Sequence, residues 1–208
     1  MTVVELASPR SKDQRSHIAK SAAGLFARKG YAATSMNEIA EASDLSKPGL
    51  YHHFKDKAQV LLFIADGHVS QLVDIVTAIG SLGLPADETL PELIAAFMRE
   101  YADAQSEHRV LTEDVRFLDP EDQARVLEKE RRVVDVFAHA IAAARPDNEQ
   151  TRLHTVLAKL LFGMLNWMFT WFRPDGQLSH EQITPIVTQL FMNGISGLAL
   201  ESRPRRVS

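Results

Sequence analysis

Residues 45–57 read LSKPGLYHHFKDK, and the purpose of this stretch decides how the rest of the chain is read. A serine, a lysine, a proline and a glycine follow the leading leucine; a tyrosine and two histidines come next; two lysines then flank an aspartate. A helix over about Ser46–Phe54 turns Leu45, Leu50 and Phe54 to one side, the spacing of a core-facing stripe. Lys47, Gly49, Tyr51, His52 and His53 are left for the outside or the flanks. A core helix has no use for that set, and a loop has no use for its spacing.

Working outward, Ser35-Met36-Asn37-Glu38 is a capping box, a serine N-cap with a glutamate three residues on. It opens a short helix with Met36, Ile39 and Ala40 inward, and a turn follows at Ala42–Leu45. Upstream, a helix over about Asp13–Lys29 shares Ile18, Ala22, Leu25 and Phe26 on one face and stops at Gly30. Two short helices joined by a tight turn are the geometry of a helix-turn-helix, whose second helix enters the major groove. On that geometry the small first turn Ser46-Lys47-Pro48-Gly49 lets the backbone come close to DNA. Ser46 caps the helix or touches phosphate, Lys47 reaches guanine or phosphate, and Tyr51 offers its hydroxyl to a phosphate. His52 and His53 flank it. Lys57, beside the positive start of the next helix, is expected to clamp a second phosphate, and Thr34 and Ser35 to do the same at the start of the preceding helix. Each residue alone has an ordinary reading: a half-buried tyrosine, a solvated helix start, surface histidines. Together, at these spacings, they favour a nucleic-acid face.

This stretch resembles the DNA-binding domain of the TetR family of bacterial transcriptional regulators. The resemblance covers residues 15–57 and rests on AAGLFARKGYAATSMNEIAEA, on LSKPGLYHHF and on Lys57 three residues after Phe54. Two positions depart from the family's pattern. The turn reads Ser43-Asp44-Leu45 where Ala-Gly-Val is usual, and aspartate tolerates the left-handed backbone that glycine would supply. Pro48 stands where many relatives have glycine; it is tolerable in a first helical turn but disfavours a helical Lys47 before it. The resemblance implies an all-α, nine-helix architecture, with a helix-turn-helix head over 11–57 and a helical ligand-binding and dimerisation body over 58–202.

The bulk composition agrees with that division. Residues 1–57 hold nine Lys/Arg against six Asp/Glu, a net +3, while the rest of the 208-residue chain carries −7. A basic head on an acidic body suits a polyanion met by the head alone, although three charges are a small excess. Hydrophobic residues make up 45% of the chain, enough for a sizeable core. There is no cysteine, so disulfides and thiolate zinc sites are excluded, and a reducing cytoplasm is the expected setting. No stretch resembles a signal peptide, and the longest apolar run, Val156–Phe172, carries Lys159, Asn166 and Thr170; a buried helix is expected rather than a membrane span.

Helical periodicity continues through the body. Helices are expected from Asp56 to about Ile79, over Asp87–Ala104, over Glu107–Phe117, from the Asp119-Pro120 start to Ala144, over Glu149–Phe172, and from the Ser179–Gln182 capping box to about Leu200. The Glu149–Phe172 helix is apolar on two sides. Leu160, Gly163, Trp167 and Trp171 form one stripe, and Leu157, Leu161, Met164, Met168 and Phe172 another. The last helix is similar, with Ile183, Ile186, Val187, Leu190, Phe191 and Ile195 beside Gly194 and Gly197. A helix apolar on both sides must bury both. A homodimer interface is therefore expected at Leu160, Gly163, Trp167, Trp171, Ile183, Val187, Leu190, Phe191 and Gly194, the alternative being a wholly intramolecular core.

An effector pocket is expected from Phe97, Tyr101, Val115, Phe137 and Ile141, with Leu161, Met164 and Met168 behind them; plain core is the competing reading for each. The stretches LTEDVRFLDPEDQARVLEKERRVVDVF and GMLNWMFTWFRPDGQLS resemble a TetR-like subgroup that controls fatty-acid, phenylacetate and steroid-acid catabolism and senses acyl-CoA thioesters. That resemblance implies cations for the phosphates, and Arg116 with Arg109, Arg125, Arg131 and Arg132 are the candidates. Surface ion pairs with Glu113, Asp114, Glu128 and Glu130 are the equal alternative. No nucleophile elbow, metalloprotease motif, P-loop or dinucleotide fingerprint is present, so no enzyme is expected. No cofactor or metal is expected either: adjacent His52 and His53 point to different helix faces, and Asp66, His68 and Asp103 have only a weak case as a site. The expected function is a cytoplasmic, homodimeric repressor that leaves a palindromic operator when a small apolar effector binds. A regulator of drug efflux sensing lipophilic compounds, or a helical interaction module that binds protein instead of DNA, are the rivals.

Overall fold

The computed structural model describes residues 9–145, 151–172 and 176–197. Nine α-helices follow one another in these residues, with no strand among them. They are α1 (Pro9–Lys29), α2 (Met36–Ala42), α3 (Lys47–His53), α4 (Lys57–Ser81), α5 (Ala86–Asp103), α6 (Gln105–Asp114), α7 (Pro120–Ala144), α8 (Thr151–Trp171) and α9 (His180–Ser196). The all-α, nine-helix expectation holds.

The helix starts are written in the local sequence. Ser35 and Glu38 form the capping box at α2, the serine oxygen accepting from the Glu38 amide and the Glu38 carboxylate accepting from the Ser35 amide at 2.8 Å. Ser46 caps α3 and Asp56 caps α4, each accepting a backbone N–H three residues on. Asp119 accepts two amides at the start of α7, where Pro120 has no N–H to lose. Ser179 and Gln182 form the second capping box, at α9. Two left-handed residues end helices in the head. Gly30, at φ +84°, closes α1, and Asp44, at φ +54°, takes the turn between α2 and α3, the conformation expected of the aspartate there.

The boundaries differ in a few places. α1 begins four residues before Asp13. α6 stops at Asp114 and tightens into a 3-10 turn over Val115–Phe117 where a continued helix was expected, because Leu118 must be extended (ψ 157°) to enter the Asp119-Pro120 cap. The α7–α8 and α8–α9 turns at 146–150 and 173–175, the expected continuation of α9 to Leu200, and the tail after it lie outside the described residues.

One core runs from head to body. Ile18, Ala22, Phe26, Ile39, Leu50 and Phe54 are all buried in the head. The Arg15 guanidinium lies over both the Phe54 and Phe63 rings, at 4.6 and 4.7 Å, so a cation–π pair joins α1 to the α3 end and to α4. α4 packs on α1, α5, α6 and α7, which makes it the link between head and body. α4, not α8, is the one described helix long and apolar enough to cross a membrane by length and composition alone, and those contacts make it a central core helix. α6 packs against both α1 and α4, so the body touches the head by a second route.

Candidate nucleic-acid interface and cavity

α3 buries only Leu50 completely, and Phe54 follows it into the core. Ser46, Lys47, Pro48, Tyr51 and His52 are exposed; Gly49 and His53 are half-buried. The first turn is tight by construction. A Cβ at Gly49 would sit 3.2 Å from the Ser46 hydroxyl oxygen, which is the oxygen that caps the helix. Glycine therefore keeps both the cap and a flat surface over which DNA can approach. His53 is held below the usual histidine range by burial, then by His52 and Arg15, so it is neutral at pH 7.

Two of the expected phosphate contacts have other employment. Thr34 is 2% exposed and its hydroxyl donates to the Gly30 carbonyl, so its side chain faces the protein. Lys57 folds back: its ammonium donates to the carbonyls of Tyr31 (2.7 Å), Ala32 (3.3 Å) and Thr34 (2.7 Å) and lies 4.4 Å from the Tyr31 ring centre. All three of its protons are engaged, and the lysine is a tie from α4 to the α1–α2 loop rather than a free clamp. Ser35 is exposed, but its hydroxyl also donates to Glu38 inside the capping box. Tyr31 in turn stacks on Phe117 at 5.2 Å, so the same loop is joined to the 3-10 turn that follows α6.

On α8 and α9 the two apolar stripes separate. Leu160, Trp167, Trp171, Ile186 and Leu190 are all more than half exposed, Trp167 at 66%. Gly163 and Gly194 are exposed beside them and Val187 is half-buried. This surface forms an open groove of about 620 Å³, walled also by Met164 and Met168. Phe191 is only 6% exposed and faces its own core, away from the expected interface, whereas Ile183, equally buried, still borders the groove.

The expected pocket residues are mostly packing. Phe97, Phe137, Ile141 and Leu161 are fully buried; Phe97 and Phe137 meet edge to face at 4.8 Å. Val115 is buried in the turn after α6. Arg116 is exposed and lies over the Phe117 ring, at 5.0 Å from its centre. Arg109, Arg125 and Arg131 pair with Glu113, Asp122 and Glu128 on their own helices, which is the surface ion-pair alternative. Met164 and Met168 border the α8–α9 groove, and Met168 also meets Tyr101 at a small void of about 10 Å³.

A partly open cavity lies elsewhere, between α4, α5, α6, α7 and α8, with a volume of about 180 Å³. Its apolar wall is Val69, Leu72, Leu111, Val133, Val134 and Phe162. Its polar wall is Tyr101, His108, Thr112, Glu130 and Asn166, of which only Tyr101 was expected. A polar seam runs behind it. Glu100 lies 3.6 Å from His68, His68 contacts His108 at 3.3 Å, His108 stacks on Tyr101 at 3.6 Å, and Tyr101 donates to Asn166 at 3.2 Å. Asp66 instead pairs with Lys129, and Asp103 is exposed, so the Asp66–His68–Asp103 grouping does not assemble; no cluster of three metal-ligand residues occurs among the described residues. The signal for this seam was a histidine set into an apolar stripe, His68 between Ala65 and Leu72.

Burial lowers His68 to about 4 and, with help from His68, lowers His108 to about 3; burial raises Glu130 to about 6. Both imidazoles are thus neutral at pH 7. A histidine with a lowered folded pKa contributes stability above its unfolded value that is lost as pH falls. A glutamate with a raised one contributes stability at low pH that is lost as pH rises. Between pH 6 and 4.5 the unfolded chain holds two more protons at the histidines and one fewer at Glu130. From these three groups stability is expected to fall by about 1.4 kcal/mol per pH unit on acidification through that window. Urea unfolding at pH 6 and 4.5 reads this, and His108→Gln should remove most of the slope; an unchanged slope in that variant would contradict the burial of a neutral imidazole.

Comparison with known proteins adds a family to this geometry. Residues 18–64 match the profile of the bacterial regulatory proteins of the tetR family, and residues 83–195 match the tetracyclin repressor-like C-terminal domain. The chain belongs to the TetR family of transcriptional regulators. It is 26% identical over 200 residues to the HTH-type transcriptional repressor KstR2 of Mycolicibacterium smegmatis, covering 88% of this chain and 91% of that protein. A TetR-family transcriptional regulator from Bordetella parapertussis superposes with a TM-score of 0.83 at 30% identity, over 90% of this chain and 98% of that one. AibR, in complex with isovaleryl coenzyme A and operator DNA, superposes with a TM-score of 0.75 at 27% identity, over 85% and 97% of the two chains.

Proposed function

We propose that the protein is a homodimeric repressor that binds a palindromic operator through α3 and is released by a small-molecule effector held between α4 and α8, with an acyl-CoA thioester as the favoured effector class. The observation that carries the DNA half is α3 itself: a capped helix with one buried stripe and Lys47, Pro48, Tyr51 and His52 exposed on its outer side. The dimer rests on the exposed tryptophans and leucines of α8 and α9, too large an apolar face to leave in water. The effector half is supported by the cavity and by the likeness to AibR with isovaleryl coenzyme A bound. In this reading the head is about residues 11–57 and the body 58–202, and the protein works in the cytoplasm as a binding protein without a cofactor.

The release mechanism follows from the helices that line the cavity. Val69 and Leu72 belong to α4, whose first turn is tied to the head by Lys57. His108, Leu111 and Thr112 belong to α6, which packs on α1. A ligand that prefers a different tilt of α4 or α6 changes the spacing of two heads in a dimer and lowers operator affinity by linkage.

A labelled duplex carrying the DNA upstream of the gene tests this. Tight binding at 50 mM salt that weakens at least about 100-fold at 200 mM is expected from several phosphate contacts. Tyr51→Phe should weaken binding roughly tenfold on every sequence, and Lys47→Ala should weaken it and relax base preference, each by about 1–3 kcal/mol. Tyr51→Phe binding as tightly as the parent at moderate salt would remove α3 from the interface.

A further inference from the structure

The polar wall of the cavity has a sign. Its lining holds one carboxylate, Glu130, and no lysine or arginine. No hydrogen bond or ion pair engages Glu130 among the described residues, and its neighbour Lys129 turns away to Asp66 and Ser70. Arg131 and Arg132, the next two residues, are exposed, and Arg131 pairs with Glu128. The other polar groups facing the space are uncharged at neutral pH. Burial keeps His108 deprotonated and pushes the Tyr101 hydroxyl well up, where it stays protonated. Glu100, one residue before Tyr101, adds a second carboxylate behind the seam, itself raised by burial and by Asp103 and Glu107. An anion entering here would meet Glu130 without a counter-ion, in a half-dry space where Coulomb repulsion is strong.

We propose that this cavity takes a compact uncharged or cationic group and rejects the free carboxylate of the same skeleton, with Glu130 as the residue that sets that choice. The inference rests on the effector-pocket reading above and deepens it. About 180 Å³ is slightly more than the roughly 150 Å³ cavity that accepts benzene, so it holds one ring or one short branched acyl group and not a coenzyme. A thioester fits this demand because it masks the charge of an acid. The acid released by its hydrolysis does not, so the cavity distinguishes the activated compound from its free parent. Any phosphate-bearing part of an effector lies outside the cavity.

Three probes with the same phenyl-plus-one-carbon skeleton at pH 7.5 test the proposal on the full-length protein by calorimetry: benzyl alcohol, benzylamine and benzoate. The alcohol and the amine are expected to bind saturably, and benzoate at least about tenfold more weakly, as a like charge at close range requires. Glu130→Gln keeps the shape and removes the charge, so benzoate should gain and benzylamine lose about tenfold. Val134→Phe, which fills the cavity from its half-buried wall, should abolish binding of all three and locates them there. Benzoate binding within twofold of the alcohol in the parent protein would overturn the proposal. So would an unchanged order in Glu130→Gln, or saturable binding by none of the three. Operator binding without any probe is measured in parallel: its absence would sink the regulator reading, whereas intact operator binding with the wrong probe order would sink this proposal alone.

Discussion

Trp167→Glu is expected to give a folded monomer with little operator affinity. Trp167 is 66% exposed in the single chain, in line with Leu160, Gly163 and Trp171 along α8, and Leu190 of α9 is 64% exposed beside it. A tryptophan exposed to that degree offers on the order of 150 Å² of mostly apolar surface. Covering it in both copies is worth several kcal/mol at about 25 cal/mol per Å², before the cost of association. A glutamate there leaves the fold intact, because the position is already in water, but places two carboxylates in a dry interface. Light scattering should report the monomer mass, and operator affinity should fall on the order of 100-fold, because two linked heads become two independent ones. A dimer that survives Trp167→Glu would move the interface off α8 and α9.

Lys57→Met is the second large effect, and it separates two roles for the same lysine. The ammonium holds three carbonyls of the α1–α2 loop, those of Tyr31, Ala32 and Thr34. Hydrogen bonds to a charged group are worth about 1.5–3 kcal/mol each, and three on one part-exposed lysine are not additive; the expected loss is about 2–4 kcal/mol of stability, with operator binding lost alongside. Tyr51→Ala is the contrast. Its ring is 44% exposed, so stability should change by less than about 0.5 kcal/mol while DNA binding weakens. Urea midpoints of the two variants decide the matter. A Lys57→Met protein as stable as the parent but weak on DNA would restore the phosphate clamp expected from the sequence.

The head was legible because its signals are local. Ser35 with Glu38, Ser46, Asp56 and Gly30 each fix a helix end through atoms within a few residues, and Asp44 could be read as left-handed from its place in the turn. The tie made by Lys57 is not legible, because its partners are more than twenty residues away and a lysine beside a helix start looks the same whether it meets a phosphate or a carbonyl. On α9 both stripes are apolar. Phe191 and Ile195 face in while Ile186, Leu190 and Gly194 face out, and only tertiary packing against α5 chooses between them. The cavity was the least legible part. Phe97 and Phe137 have the composition of a pocket and are fully buried against each other, whereas the cavity walls include Glu130 and His108, residues that composition assigns to the surface.

Two copies of α3 meeting adjacent turns of one face of DNA would leave a pattern that hydroxyl-radical footprinting of the upstream duplex reads directly. Two equivalent protected patches are expected, related by two-fold symmetry and centred about one helical turn apart or a multiple of it, lost together in Trp167→Glu. No protection at 50 mM salt, or a single unpaired patch that survives Trp167→Glu, would contradict it.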